Sequence, residues 1–427
     1  MKKQLTPAEQ LAKAQVPKEE QPYQLPKGWQ WVRLGGLTQI IGGGTPSSKN
    51  DAYYEGGTIP WIRPADLSGY QDKYIERGER SITELGLAKS SARLLPADTV
   101  LLSTRAPIGY VAIAANEVTT NQGFKSFLPS SLYEPSYLYW YLKGNKDMLE
   151  RHASGTTFLE LSAKRASEIM MPLPPMEEQQ RIVQRIESLF AKLDAAEVRL
   201  NAVAASFAPR KDALLHQAFT GELLHKQLQE TMPMDDILAD VRIGPFGSAL
   251  HKQDYHEGGI PVINPKHIVA LQIKPEAKVS ISATKADELS AYKLQENDII
   301  MGRRGEMGRC APVGEYETGW LCGTGSMILR LKDGYDAKFY AQIISSQTCK
   351  QYLEMHAVGS TMKNLNERIV RGIPIPKFSP SEQRAIVAQL DHLLSREHQA
   401  AVAVTRARTE LRRLRAAILA RAFRGEL

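Results

Sequence analysis

Two adjacent arginines, Arg303 and Arg304, stand before Gly305 at the end of an apolar run, and Arg105 takes the corresponding place earlier in the chain, inside STRAPIG. A guanidinium presents five N–H donors in a flat fork, suited to paired contacts with anionic oxygens, whereas a lysine ammonium acts as a point charge. Other turns add shorter donors and acceptors: Thr45, Ser47, Ser48 and Lys49 follow a run of three glycines, and Asn264, Lys266 and His267 surround Pro265. The chemistry these residues offer is that of gripping a polyanion by charge and hydrogen bonds. For any one of them, a solvated loop charge is at least as good a reading; the cluster carries more weight than its members.

Bond-making chemistry has a different signature, which the chain does not provide. A phosphate-cradling loop requires Gly-Lys before Ser or Thr, and no Gly-Lys dipeptide occurs. The nearest string to the Asn-Pro-Pro-aromatic motif of amino-methyltransferases is Asn264-Pro265-Lys266. Gly323-Thr324-Gly325 is a lone GxG whose counterpart, Asn121-Gln122-Gly123, lacks the first glycine, so a turn is the better reading. Glu276-Ala277-Lys278 has the E-x-K spacing of a nuclease metal site, a spacing that a charged chain produces by chance. None of the nine histidines forms an obvious ligand pair. The expectation is no catalytic residue and no metal ligand.

Bulk properties permit this without demanding it. Lys+Arg number 54 against 47 Asp+Glu, a formal charge of +7, which suits a polyanionic partner only weakly. A chain of 427 residues is too long for one ordinary domain. Cys310, Cys322 and Cys349 include no CxxC pair and are expected as buried, reduced thiols, consistent with a cytoplasmic location. No stretch reaches the ~18–20 apolar residues of a membrane span. The N-terminus lacks the apolar core of a secretion signal.

The elements that must position these residues come in two copies. Residues 178–223 and 382–427 align without a gap, Glu178 with Glu382, Gln179 with Gln383, Phe219 with Phe423, and both close on Gly-Glu-Leu. Upstream, YEGGTIPWIRP (54–64) matches HEGGIPVINP (256–265), DTVLLSTRAPIG (98–109) matches DIIMGRRGEMG (298–308), and SGTTFLELS (154–162) matches VGSTMKNLN (358–366). The period is far too long for a solenoid, so each copy is a domain-sized module. The first part of each is rich in Gly, Pro, aromatic and β-branched residues with short apolar runs, which predicts a compact mixed α/β domain of short strands and a few helices.

The second part of each copy is a long helix. Ile182, Ile186, Leu189, Leu193 and Leu200, then Ile386, Leu390, Leu393, Val404, Leu411 and Leu414, recur in steps of three and four as an apolar seam that requires a partner helix. Two core helices buried separately would be the alternative; length and matched copies favour a coiled coil. Proline-rich runs precede both helices, where proline is tolerated. About 40 residues at 1.5 Å each span ~60 Å.

Taken together, LPKGWQWVRLG (25–35), the hinge PLPPMEEQQRIVQRIE (172–187) and the closing AFTGEL (218–223) and AFRGEL (422–427) resemble the specificity subunit of type I restriction–modification enzymes, over nearly the whole chain. The resemblance implies an α+β architecture: two target-recognition domains separated by two long helices that pair as an antiparallel coiled coil, a pseudo-twofold tandem duplication. On this basis residues 1–22 are expected as a flexible leader, 23–172 as the first recognition domain and 173–223 as the first long helix. Residues 224–234 form a linker, 235–376 the second domain and 377–427 the second helix.

The same resemblance implies that the chain reads double-stranded DNA, one half of a split site per domain, and docks methyltransferase subunits, two in number, and restriction/translocase subunits. S-adenosylmethionine, ATP and magnesium would then be bound by those partners, with no cofactor on this chain. The two heads differ greatly in sequence, which suggests an asymmetric target. Candidate DNA contacts are Thr45, Ser47, Ser48, Lys49, Arg63, Arg105 and Lys125 in the first head. In the second they are Ser248, Lys252 with its neighbour His251, Asn264, Lys266, His267, Arg303, Arg304 and Arg309. The loops at 155–157 and 359–361 either bind phosphate through backbone N–H groups or simply turn the chain. The arginine run from Arg406 to Arg424 is a solvated helix face or a contact with an acidic partner or DNA. The rival reading is a fused or type II-like DNA-modifying enzyme with its own active site.

Overall fold

The computed structural model describes residues 6–105, 107–154, 159–226, 230–246, 249–359 and 363–427. The candidate Ser248 and the loop stretches 155–157 and 360–361 lie outside the described residues. The chain divides into two compact units, Met1–Arg199 with Ala407–Leu427, and Leu200–Arg406. Each contains one recognition domain and stretches of both long helices.

In the first unit a five-stranded sheet runs in the order Ile40–Gly42, Phe124–Phe127, Val100–Ser103, Val111–Ala114, Tyr74–Ile75. The first four strands are antiparallel neighbours and the last is parallel. Val100–Ser103 and Val111–Ala114 are buried at every position, which is why their sequences are continuous apolar runs. Their alternate residues serve two cores. Val100 and Leu102 pack under Tyr137 and Leu138 of the helix Pro135–Gly144. Leu101 faces Ile62 and Ile75 on the other side. A three-stranded sheet, Arg80–Ile82, Ile59–Ile62, Thr119–Thr120, adds an antiparallel and then a parallel pairing.

The second unit repeats this plan on a different sequence. Its main sheet runs Leu238–Ile243, Ser326–Leu331, Asp298–Gly302, Cys310–Pro312, all antiparallel. Ser280–Ile281, Ile260–Ile263 and Leu321–Cys322 form the small sheet with the same antiparallel-then-parallel order. Ile299 and Met301 face one core and Ile300 another, as in the first unit. A two-stranded ribbon closes each domain, Gln30–Arg33 with Met170–Leu173 and Thr231–Pro233 with Pro374–Pro376.

The helices are anchored by a matched pair of buried glutamines. Gln179 Nε2 donates to the Pro174 carbonyl (2.9 Å) while its Oε1 accepts from Glu134 N (2.9 Å). Gln383 does the same with the Phe378 carbonyl (2.9 Å) and Asp336 N (3.2 Å). Each glutamine ties the helix start to the N-cap of the domain's own helix, Pro135–Gly144 or Ala337–Ile344. Within the first unit, residues 407–422 run antiparallel to 176–199. Arg415 is paired with Asp194 and Glu197 and lies over the Phe190 ring, while Phe423 meets Tyr137 edge-on at 5.1 Å. Within the second, Arg210 pairs with Glu397 at 3.1 Å and Lys226 with Glu382, again with opposed chain directions.

Three sequence expectations are corrected. The first long helix is not continuous: Met176–Ala205 and Phe207–Thr220 are separate helices, interrupted at Ser206. Pro209 is the cause, since it has no N–H to offer the Ala205 carbonyl and its ring crowds that group. Leu414 is 48% exposed and off the seam, whose place is taken by Arg415 and by Leu419, 8% exposed. Of the other seam residues, Ile182, Ile186, Ile386, Leu390 and Val404 are buried, and Leu189, Leu193, Leu200, Leu393 and Leu411 are half-buried. The leader is folded from residue 6 onward and docked through part of its length: Thr6 caps the helix Pro7–Ala14, Ala14 and Val16 are buried, and Val16 N donates to the Trp31 carbonyl at 2.8 Å. Its apolar residues Leu11, Ala14 and Val16 give it a face to bury.

All three cysteines are free and buried. Burial pushes the thiols up, that of Cys349 to about 12, so none is a nucleophile at neutral pH. Among the described residues no helix is long and apolar enough to cross a membrane.

Candidate nucleic-acid interface

At one end of each main sheet five loops meet through backbone hydrogen bonds. In the first unit Gly43 N donates to the Phe124 carbonyl (3.5 Å), Asn121 N to Ile62 (3.0 Å), Thr104 N to Gly123 (2.8 Å) and Leu161 N to Thr104 (2.9 Å). In the second unit Gly244 N donates to Ser326 (3.0 Å), Gly323 N to Ile263 (2.9 Å), Arg303 N to Gly325 (2.9 Å) and Leu365 N to Arg303 (2.9 Å). Isolated bridges Arg105↔Glu160 and Arg304↔Asn364 complete the correspondence. The shared wiring pairs Arg105 with Arg304, Thr104 with Arg303, Arg63 with Asn264 and Glu160 with Asn364. The crossing is tight: a Cβ on Gly43 would lie 1.9 Å from the Asn121 carbonyl oxygen, and one on Gly244 2.0 Å from that of Gly323.

The candidates fall into three groups around this junction. Some are exposed on its loops: Thr45, which touches the Gln122 side chain, then Ser47, Ser48 and Lys49 further along, and Lys252 and His251 on the equivalent loop of the second unit. Arg304 is exposed and has no ion-pair partner among the described residues. A second group is exposed or half-buried but already paired. Arg63 contacts Asp66 (3.2 Å) and Glu79 (2.6 Å), Lys266 contacts Glu276 (2.7 Å), and Arg309 contacts Glu306 (2.9 Å). Arg105 contacts Glu160 at 3.1 Å. Glu276 of the E-x-K string is therefore occupied by Lys266.

The third group is buried, against the expectation of exposed loop donors. Lys125 sits inside the strand Phe124–Phe127, and burial pulls its ammonium down, partly offset by Glu160 at 3.9 Å. His267 Nδ1 accepts from Asn264 N at 3.1 Å, so the imidazole proton resides on Nε2. Burial and Lys266 lower its basicity, and it closes the turn as a neutral cap. Arg303 is 5% exposed: Nε donates to the Leu365 carbonyl (3.1 Å), Nη1 is buried with no hydrogen-bond partner, and Phe246 lies 5.1 Å from the guanidinium. Burial first, and then Arg304, pull its basicity down.

Sequence reasoning missed Phe246, 53% exposed over Arg303, and the pair Glu160/Asn364. The signal for the pair was present, since both sit in the recurrent 154–162 and 358–366 segments. What the junction can do is present backbone and side-chain donors from several loops to one ligand surface. Among the described residues no cluster of three or more His, Cys, Asp or Glu is placed to hold a metal.

Residues 26–205 and 240–401 match the family model described as the type I restriction modification DNA specificity domain. The chain is 34% identical over 305 residues to the type I restriction enzyme MjaIX specificity subunit of Methanocaldococcus jannaschii, covering 68% of this chain and 69% of that one. It is 21% identical to the EcoKI specificity subunit of Escherichia coli K12, covering 94% and 90%. Among solved structures, a chain from work on complex assembly and conformational transition of the type I R-M system superposes with a TM-score of 0.72 at 21% identity, covering 95% of this chain and 100% of that one. The HsdS subunit of Thermoanaerobacter tengcongensis superposes with a TM-score of 0.65 at 20% identity, covering 96% and 100%. The chain belongs to the type I restriction–modification DNA specificity family.

Proposed function

We propose that this chain reads a bipartite, asymmetric DNA target, one half-site per recognition domain, and brings methyltransferase and restriction subunits to it without doing chemistry itself. The observation that carries this reading is the five-loop junction, built twice with the same backbone wiring but with different side chains at several equivalent positions, Thr104/Arg303, Arg63/Asn264, Asn121/Gly323 and Glu160/Asn364 among them. A shared frame fixes where each domain meets the duplex; divergent side chains give each its own sequence. Arg304, Arg105, Thr45, Asn264 and Arg63 stand at the junction where base edges and phosphates would be met. Two methyltransferase subunits fit a chain with two matched helical arms. S-adenosylmethionine, ATP and magnesium are assigned to those partners, and the complex to the cytoplasm.

The test is to assay the purified chain with S-adenosylmethionine and magnesium, alone and with its methyltransferase subunits. The expected result is no methylation or cleavage by the chain alone, and two protected tracts separated by an unprotected spacer in the assembly. Methylation or cleavage by the chain alone would reject the reading in favour of a fused enzyme.

A further inference from the structure

The two junctions share their wiring but not their electrostatics. In the first unit the exposed Arg105 guanidinium lies 3.1 Å from Glu160, and Lys125 reaches the other oxygen of the same carboxylate at 3.9 Å. One carboxylate thus serves both Arg105 and Lys125. In the second unit the position of Glu160 is held by Asn364, a neutral side chain whose Oδ1 is buried without a partner. Arg304, the equivalent of Arg105, is exposed and has no ion-pair partner among the described residues. Thr104 is replaced by Arg303, which adds a second, buried guanidinium to this junction, with Nη1 unpartnered and Phe246 against it.

We infer that the two heads engage DNA unequally: the second unit provides a standing cationic grip on the phosphate backbone through Arg304, while Glu160 is a positioning residue that holds Arg105 back until DNA displaces it. An uncommitted guanidinium can neutralise a phosphate of any sequence and release its counterion. Arg105 must first exchange its carboxylate for a DNA anion or acceptor, and that exchange is favourable only where the duplex presents a partner at the right place. Glu160 therefore suppresses sequence-independent contact at the first head and leaves discrimination to it, a device of the kind in which an unfavourable contact rejects the wrong ligand. The inference rests on the DNA-reading function proposed above and adds a division of labour between the heads.

The reciprocal pair Glu160→Gln and Asn364→Asp tests it in the full chain assembled with its methyltransferase subunits, with a random-sequence duplex titrated over a range of salt concentrations. Glu160→Gln frees Arg105 and should tighten random-duplex binding by up to about five-fold, the range of one exposed ion pair. It should also steepen the salt dependence by roughly 0.9 in log K against log salt. Asn364→Asp should clamp Arg304, weaken binding comparably and flatten the slope by the same amount. A merely structural role for Glu160 would shift the melting temperature and leave the slope alone. Unchanged slopes in both variants, in assemblies that still bind duplex, overturn the inference while sparing the DNA-reading function. An unmutated assembly that binds no duplex overturns both.

Discussion

Replacing Gly43 by alanine should disable the first head and leave the second intact. A Cβ at that position would sit 1.9 Å from the Asn121 carbonyl oxygen and 2.5 Å from that of Thr120, where ordinary contact begins at 3.4 Å. Both obstacles are backbone, so the two loops must part by about 1.5 Å for the methyl to fit. Parting them threatens the bond from Gly44 N to the Thr120 carbonyl, worth roughly 0.5–1.5 kcal/mol, on top of an overpacking cost of about 1–3 kcal/mol. For a unit of this size each kcal/mol moves the melting temperature by roughly 2–4 °C, so a drop of several degrees in the transition of the first unit follows. Gly42→Ala is the control, because a Cβ there meets nothing within 4 Å. Gly244→Ala, 2.0 Å from the Gly323 oxygen, is the mirror experiment in the second unit. The assay is differential scanning calorimetry together with a footprint that resolves the half-sites. Loss of one half-site for Gly43→Ala and of the other for Gly244→Ala is expected. If Gly43→Ala melts like Gly42→Ala, or if both glycines govern the same half-site, the account of the junction is wrong.

Other consequences are checked more briefly. Gln179→Leu strips Glu134 N and the Pro174 carbonyl of their shared partner. Each buried group left unpaired costs about 1–3 kcal/mol, so urea unfolding should show the first unit weakened, and Gln383→Leu should do the same to the second. Arg304→Ala should weaken binding to every duplex alike and reduce the salt slope by roughly 0.9, which a titration at several salt concentrations measures. Lys226, with the Ser379 N–H and hydroxyl, holds the Glu382 carboxyl down to about 2. A depressed carboxylate adds stability that is complete above its ordinary unfolded value and is lost as pH falls toward 2. Thermal melts over that acid window should therefore fall less steeply for Glu382→Gln than for the unmutated chain. Removing both Pro209 and the helix break, by Pro209→Ala, should raise the helical signal in circular dichroism.

Much of the architecture is legible in the sequence because it is said twice. A gap-free repeat of 178–223 in 382–427 exposes the helices, and the matched Gln179 and Gln383 prove to be the bolts that fix them to their domains. The break at Ser206 was also written in the chain, as Pro209, but an apolar period that continues through a proline masks it. The departure of Leu414 from the seam was not legible, since leucine fits the period; Arg415 displaces it because Asp194 and Glu197 lie across from it, a fact of three dimensions.

The site was legible in its loops and much less in its residues. Gly-rich turns and the Arg105 and Arg304 positions were visible as sequence features. That Arg303 is buried under Phe246, or that His267 is spent on capping Asn264, depends on which loop crosses which. Residue type tells what a side chain can donate; packing decides whether it is free to do so.

The most direct measurement is methylome sequencing of cells that express this chain with its methyltransferase, compared with cells that express the methyltransferase alone. The account predicts methylation confined to one motif of two unlike half-sites with a fixed spacer of arbitrary sequence, appearing only when this chain is present. A single continuous motif, or the same methylation without the chain, would contradict it.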